Sequence, residues 1–440
     1  MAGIFKAYDI RGIYPSQLDE ETAYKIGRAF VKFLKVDEIL VGRDGRLSSP
    51  KIFEKLAEGI TDQGANVIDI GLCSTPMFYS EAAKTKAGIM VTASHNPKEY
   101  NGFKFTSENA VPISYDTGIN EIERLVNLNN FDNPEQEGEI IQKDIMEDFI
   151  KHNLKFVKTD KKFKIVVDAG NGMGAHTFPK IFEKLPFEFI PLYMDMDFNF
   201  PNHEANPLKY ETLEALQKKV IEEKADLGIA LDGDSDRCIA VDEKGNIVEC
   251  DLMTALIGKE LLKSNKDAKI LYDLRSSKIV PEVIEKAGGH AIMCRVGHAY
   301  IKAQMRDEDA IFAGELSGHF YYKDSFFTES SFITTALLLD LIAEEKKPLS
   351  ELVKPLRKYF ASGEINSEVS EKDEKLKELE EKFKDANKVL HLDGLSIYYD
   401  NFWFNVRASN TEPLLRLNLE ADTKELMEEK RDMLLELIRK

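Results

Sequence analysis

Short apolar runs in this chain stop abruptly in polar, glycine-bearing loops, and stretches of helical periodicity alternate with them. That alternation restricts the fold more than any other feature. Apolar positions Ala23, Ile26, Ala29, Phe30, Phe33 and Leu34 predict an amphipathic helix over Glu20 to Lys35. Ile39-Leu-Val-Gly-Arg-Asp-Gly-Arg46 reads as a strand entering a polar loop. Helix (Pro50 to Asp62), strand (Asn66 to Ile70), helix (Thr75 to Lys86) and strand (Gly88 to Val91) follow. Strand–helix repetition of this kind argues for α/β units with largely parallel sheets.

The strand Gly88 to Val91 ends in Thr92-Ala-Ser-His-Asn-Pro97. Pro97 disfavours helical geometry at Asn96, and Asn-Pro is a turn signal. Ser94 is therefore carried at the tip of a rigid element with His95 beside it, where functional groups often sit. The competing reading has Ser94 bonding only local backbone. Asn101-Gly102, a hairpin-turn dipeptide, follows closely, with Lys104 between Phe103 and Phe105. Those flanks suit a lysine whose stem is partly buried and whose amine turns into a site. Earlier, Ala7-Tyr8-Asp-Ile-Arg11-Gly12 offers a guanidinium on a glycine-flanked loop, apt for phosphate.

Three further loops repeat the theme. Asp232, Asp234 and Asp236 alternate in Leu231-Asp-Gly-Asp-Ser-Asp-Arg237, after the strand Leu227 to Leu231. Three carboxylates so close repel one another unless a cation neutralises them, and hard oxygen ligands suit Mg²⁺. Glu243 falls at position twelve of an EF-hand count, but Arg237 occupies the required glycine position and the flanks read as strands, so that motif is rejected. Arg275 follows a strand over Lys269 to Asp273, and Val296-Gly-His298 places a histidine on a glycine turn, as proton carrier or helix-start residue. Gly314-Glu-Leu-Ser-Gly-His319 shows Glu315, Ser317 and His319, groups able to accept from and donate to sugar hydroxyls, in what also reads as a hairpin connection. Finally Arg407-Ala-Ser409-Asn410-Thr411-Glu-Pro413 combines a guanidinium fork with hydroxyl and amide donors, a plausible phosphate clamp. Arg416 lies in the strand that follows. Gly170-x-Gly172-x-Gly174 is not the dinucleotide fingerprint and reads as a tight strand-to-helix turn.

At 440 residues, roughly three or four domains are expected. Asn127 to Gly138 reads as the exit from the first and Ser362 to Ser370 as a linker to the last. Fifty-nine basic against 77 acidic side chains leave a formal charge of −18, which argues against nucleic-acid or anionic-membrane partners but not against a local basic pocket. No apolar run is long enough to span a bilayer, and the start lacks a signal-peptide core. Cys73, Cys238, Cys250 and Cys294 are scattered, as expected of buried thiols in a reducing cytoplasm.

Together the Ser94, Asp232–Arg237, Gly314–His319 and Arg407–Pro413 motifs, in order and spacing, resemble the α-D-phosphohexomutase family over essentially the whole chain. The first and last motifs look like its phosphomannomutase/phosphoglucomutase branch. The phosphoglucosamine mutase branch typically has Gln where this chain has Leu316 and is the alternative, with a metal-dependent sugar phosphatase behind it. A silent sugar-phosphate-binding protein is hard to reconcile with intact motifs. The resemblance implies four domains around a cleft: three similar mixed-sheet α/β units (1–150, 151–251, 252–365) and a smaller α+β domain (366–440). It implies a phosphoserine at Ser94 and one Mg²⁺ on Asp232, Asp234, Asp236 and a phosphoserine oxygen. It implies proton transfer by Lys104 or His298, with His95 adjacent to the nucleophile, and charge stabilisation by Arg11 and Arg237. Glu315, Ser317 and His319 would hold the sugar. Arg407, Ser409, Asn410 and Thr411, with Tyr8, Arg275 and Arg416, would complete substrate binding. The implied activity is interconversion of hexose 1- and 6-phosphates through a hexose 1,6-bisphosphate, in a monomer or homodimer. Ser235 stands where many members have glycine, and Val296 replaces a frequent hydroxyl.

Overall fold

The structure, a computed structural model, describes residues 3–408 and 414–440. Four sheets form in chain order. In the first, Ile10–Ile13, Tyr100–Ser107, Ala87–Val91, Glu38–Arg43, Asn66–Leu72 and Ile140–Gln142 lie side by side, and Val111–Pro112 joins Tyr100–Ser107. The second runs Ile247–Val248, Cys238–Val241, Leu227–Leu231, Lys164–Asp168, Glu188–Leu192. The third runs His290–Cys294, Lys269–Asp273, Phe312–Gly314, Phe320–Tyr322, Thr328–Glu329.

These three share one plan. A parallel block reaches a last parallel strand, and the chain then turns back into an antiparallel neighbour: Ala87–Val91 into Tyr100–Ser107, Leu227–Leu231 into Cys238–Val241, Phe312–Gly314 into Phe320–Tyr322. The loops at these three turns carry Ser94, the aspartates and Glu315. The fourth sheet is antiparallel, with Phe360–Ala361 and Ile365–Glu368 both on Leu414–Ala421, followed by Phe402–Ala408, Leu395–Tyr398 and Lys388–Leu390.

Local chemistry accounts for the elements. The helix Glu20–Leu34 starts where the Asp19 carboxylate accepts from the Thr22 N–H at 2.9 Å and ends at Lys35 in left-handed geometry. Its buried face, Ala23, Ile26, Ala29 and Phe30, packs on the first sheet with Phe103 and Phe105. Each fully buried phenylalanine there stabilises by about 1.5–3 kcal/mol. The opposite face of this sheet shares one continuous apolar core with the second and third sheets, whereas the fourth sheet and the helices Lys372–Lys382 and Lys424–Arg439 close a core of their own.

Several elements differ from the sequence expectation. Asn101-Gly102 lies inside the strand Tyr100–Ser107, not at a turn. A Cβ at Gly102 would meet the Ile10 carbonyl oxygen at 2.0 Å, so the glycine is there to let the strand Ile10–Ile13 close up. After the polar run to Gly138 the chain adds Ile140–Gln142 to the first sheet, parallel to Asn66–Leu72, before leaving it. The stretch expected as a linker supplies Ile365–Glu368 to the fourth sheet, whose backbone pairing compensates for its polar composition. The helix expected over Thr75 to Lys86 is shorter, at Thr75–Ala82. All four cysteines are buried and unpaired, and among the described residues no helix is long and apolar enough to cross a membrane.

Gly102→Ala should destabilise the protein by about 1–3 kcal/mol through overpacking. Urea unfolding followed by circular dichroism measures this; an unchanged midpoint would show that the strand Ile10–Ile13 can shift freely.

Candidate active site

Ser94 sits at φ +51°, left-handed geometry that is costly for a residue with a Cβ and typical of constrained functional loops. Its surroundings enforce that shape. The Ser94 N–H donates to Thr92 Oγ1 at 2.9 Å. Arg46, buried, uses all five of its donors on the loop and its base. Nη2 donates to the carbonyls of Ser94 (2.7 Å) and Asn96 (2.8 Å), Nη1 to those of Pro97 (2.7 Å) and Tyr100 (3.0 Å), and Nε to Asp44 (3.1 Å). Asp44 in turn accepts from the hydroxyls of Thr92 and Ser49, each at 2.8 Å. Arg11 braces the outer side, donating to the Ala93 carbonyl at 3.0 Å and to Asn96 Oδ1, with Nε on Asp9 at 2.7 Å.

The Ser94 hydroxyl donates to Asp232 Oδ2 at 2.8 Å and lies 3.3 Å from His95 Nδ1. The serine loop and the aspartate loop thus meet directly. A Cβ on Gly233 would sit 2.5 Å from the Ser94 carbonyl oxygen. Asp232, Asp234 and Asp236 are buried and offer oxygens all within 4.8 Å of one another, a set that could hold a metal ion. Asp234 Oδ1 is buried without a hydrogen-bond partner among the described residues, as a ligand oxygen would be. Ser235 has φ +62°, which explains why glycine would be at home there.

Charge balance comes from other units. Lys104 Nζ lies 2.8 Å from Asp234 and 2.5 Å from Asp236. Burial alone would lower its pKa, but the two carboxylates outweigh this and hold the amine charged far above the usual lysine range. Burial raises Asp232 well above the carboxylate range, reinforced by Asp236 and Asp234. Burial would raise Asp236 as well, but Lys104 and His319 overcome it and drive the pKa well below that range. Thr75 Oγ1 donates to Asp234 at 2.6 Å.

The third loop docks by backbone pairing: Arg237 and His319 form an antiparallel bridge, and the Cys238 N–H donates to the Gly318 carbonyl at 3.0 Å. His319 joins Asp236 (Nε2, 3.2 Å) to Glu315 (Nδ1, 3.2 Å), and Ser317 Oγ lies 2.9 Å from Nδ1. Burial opposes charge on this ring, yet the Asp236 carboxylate pushes its pKa up to about 9. Glu315 accepts from Tyr321 at 2.8 Å and faces Arg275 Nη2 at 3.6 Å.

His298 begins the helix His298–Glu308, both ring nitrogens buried and without partners among the described residues. Burial, with Lys302 and Lys104 nearby, keeps it neutral. Gly297, at φ +125°, admits the Tyr8 ring, which a Cβ would meet at 2.5 Å. Tyr8 OH donates to the Val296 carbonyl at 3.1 Å, and the Val296 N–H donates to Asp393 at 3.3 Å, so units one, three and four meet there. Arg407, Arg416 and Arg275 converge on Glu364. Ser409, Asn410 and Thr411 lie outside the described residues.

The structure thus brings Ser94, His95, Lys104, Arg11, Arg237 and the aspartates into one charged cluster, with Glu315, Ser317 and His319 adjoining. Sequence reading passed over Arg46, Asp44, Thr75 and Glu364. Arg46 and Asp44 left a trace in Gly-Arg-Asp-Gly-Arg after a strand; Thr75 and Glu364 left none.

Sequence signatures of the phosphoglucomutase/phosphomannomutase family match in order: α/β/α domain I over 2–133, domain II over 146–245, domain III over 249–359 and the C-terminal domain over 364–437. A phosphomannomutase of Methanocaldococcus jannaschii is 44% identical over 441 residues, covering 99% of this chain and 98% of that one. A phosphomannomutase of Escherichia coli K12 is 40% identical over 430 residues, covering 95% and 94%. The crystal structure of a phosphoglucomutase/phosphomannomutase family protein from Burkholderia thailandensis superposes with a TM-score of 0.92 at 33% identity, covering 99% and 96%. The chain belongs to the phosphoglucomutase/phosphomannomutase family.

Arg46→Lys keeps the charge but cannot reproduce five fixed donors. It should lower turnover at least tenfold, on the order expected when a reacting group is misplaced, with near-native circular dichroism. Undiminished turnover would remove Arg46 from the support of the serine loop.

Proposed function

We propose that this protein reversibly interconverts hexose 1-phosphates and hexose 6-phosphates, with mannose and glucose phosphates as the substrate class, through phosphorylated Ser94. The observation that carries the reading is the contact of the Ser94 hydroxyl with Asp232 at 2.8 Å, beside a buried set of three aspartates from one loop that cations of two other units neutralise. Relatives named phosphomannomutase at about 40% identity over nearly the whole chain support it.

The free hydroxyl of the sugar attacks the phosphorus on Ser94. A sugar O–P bond forms as the Ser94 Oγ–P bond breaks, and a hexose 1,6-bisphosphate results. The sugar turns end for end, and its other phosphate returns to Ser94. The leaving sugar hydroxyl needs its proton back in that second step, so one group must take and return it. Neutral His298, with unused ring nitrogens, suits that task, and His95 adjoins Ser94. Lys104, held charged by two aspartates, supplies positive charge beside the transferring group, together with Arg11 and Arg237. Glu315, Ser317 and His319 hold the sugar hydroxyls, and Tyr8 borders them. Arg407, with Ser409, Asn410 and Thr411, grips the phosphate that is not reacting; Arg275 and Arg416 support it.

Asp232, Asp234 and Asp236, with a phosphoserine oxygen, would hold Mg²⁺, whose chemistry is to offset charge growing on phosphoryl oxygens. The separate core of the fourth sheet supports closure of that unit over substrate and opening for reorientation. Buried, unpaired cysteines support a reducing, cytoplasmic setting.

Ser94→Ala should abolish isomerisation of mannose 1-phosphate and glucose 1-phosphate, assayed with Mg²⁺ and a trace of hexose 1,6-bisphosphate. Substantial mutase activity in that variant would overturn the phosphoserine route. Asp234→Asn should raise the Mg²⁺ concentration for half-maximal rate at least tenfold, a loss of about 1.4 kcal/mol of metal binding. An unchanged Mg²⁺ titration would remove Asp234 from the ligand set.

A further inference from the structure

Glu364 follows Gly363, a glycine at φ +69° with open space around it, between Phe360–Ala361 and Ile365–Glu368, two strands that both pair with Leu414–Ala421 in the fourth sheet. Its carboxylate is reached by three guanidinium groups from two units. Arg407 Nη2 donates to Oε2 at 3.0 Å, Arg275 Nη1 approaches the same oxygen at 3.5 Å, and Arg416 Nη1 reaches Oε1 at 3.4 Å. Arg275 stands after the third sheet's strand Lys269–Asp273, whereas Arg407 and Arg416 face each other across the strand pair Phe402–Ala408 and Leu414–Ala421. Burial opposes ionisation of Glu364, but Arg275 and Arg407 hold it below the usual carboxylate range.

Three guanidinium groups share this one carboxylate, and a phosphate brings more negative charge to such a group than a carboxylate does. Arg275 has further acid partners in Asp273, at 2.7 Å, and Glu315. Arg407 has no second carboxylate partner among the described residues, and its Nε–H is buried without a hydrogen-bond acceptor there. Its fork is therefore half occupied by Glu364 and half spare. A carboxylate and a phosphate ask for the same planar, paired donors.

We propose that Glu364 is a positioning residue of the anion clamp, an internal carboxylate that gathers the Arg275, Arg407 and Arg416 guanidiniums across the junction of units three and four and competes with the substrate's non-reacting phosphate for Arg407. Without it, the Arg407 fork would be wholly open to phosphate and would hold it too firmly to release it for the half-turn of the sugar. With it, arrival of phosphate exchanges one anion for another, and departure restores the internal contact. Glu364 touches no reacting atom in this account; it acts through Arg407. The inference rests on the reading of Arg407 as a phosphate ligand.

The test uses the full chain with inorganic phosphate as a competitive inhibitor of the mutase reaction, and phosphate binding by calorimetry in parallel. Glu364→Gln, close in shape but uncharged, should tighten phosphate at least threefold and lower the KM for glucose 1-phosphate, with kcat reduced as release slows. Glu364→Asp, which keeps the charge on a shorter stem, should stay within twofold of the parent. In the Arg407→Ala background Glu364→Gln should bring no gain. A rise in KM, or unchanged phosphate affinity in Glu364→Gln, overturns competition by Glu364. Undiminished phosphate affinity in Arg407→Ala alone would instead overturn the assignment of Arg407 to phosphate. A threefold gain that persists without Arg407 would also overturn the proposal, because the carboxylate would then act through general charge and not through that fork.

Discussion

Three buried aspartates within reach of one another are the constraint on which the rest of the molecule depends. Left alone in a dry interior, such a set would not stay ionised. The chain answers with cations, two of them taken from other units: Lys104 from the first sheet and His319 from the third, beside Arg237 from the aspartate loop itself. Charge balance at this point is therefore a long-range tie. It requires the first three units to sit where a continuous apolar core holds them. The same tie explains why Lys104 lies on a strand beside the serine loop: its register opposite Met90 sets the amine against the carboxylates.

The three α/β units carry no evident sequence repeat, yet each delivers its functional loop from the same topological place, the turn between the last parallel strand and its antiparallel neighbour. Such a turn is short, anchored on both sides by ladder hydrogen bonds, and able to bear strain. Ser94 in left-handed geometry shows that strain, and Arg46 shows what sustains it. A guanidinium satisfying four carbonyls and a carboxylate in the interior has no net polar deficit. Backbone geometry that would be costly in a free loop is thereby made the resting state.

Much of this was legible from residues alone. A hydrophobic strand delivering Asp232, Asp234 and Asp236 states its own problem, and Ser94 before Asn-Pro marks a rigid strand end. Phe103 and Phe105 around Lys104 correctly pointed to a buried lysine. What stayed hidden depended on contacts distant in sequence. Asn101-Gly102 looks like a turn because its local chemistry permits one; only the approach of Ile10, ninety-odd positions earlier, makes it a strand. Ile365–Glu368 looks like a linker because an edge strand with one apolar neighbour needs little hydrophobic patterning. Glu364, one acid among many, acquires meaning only from arginines that arrive from three different strands or strand ends.

The division of apolar surface has a thermodynamic consequence. Three units melt into a shared interior, while the fourth closes its own and meets the others largely through polar contacts such as Lys278 with Asp422 and Val296 with Asp393. Contacts of that kind are individually weak and exchange readily with water. The fourth unit can thus loosen from the body at a free energy well below that of global unfolding, with its own fold intact. Amide exchange would divide accordingly, between a slow block common to three sheets and a boundary that opens as a whole. The capacity for motion is in this sense a property of where the oil was placed, settled at folding and not added by any one hinge residue.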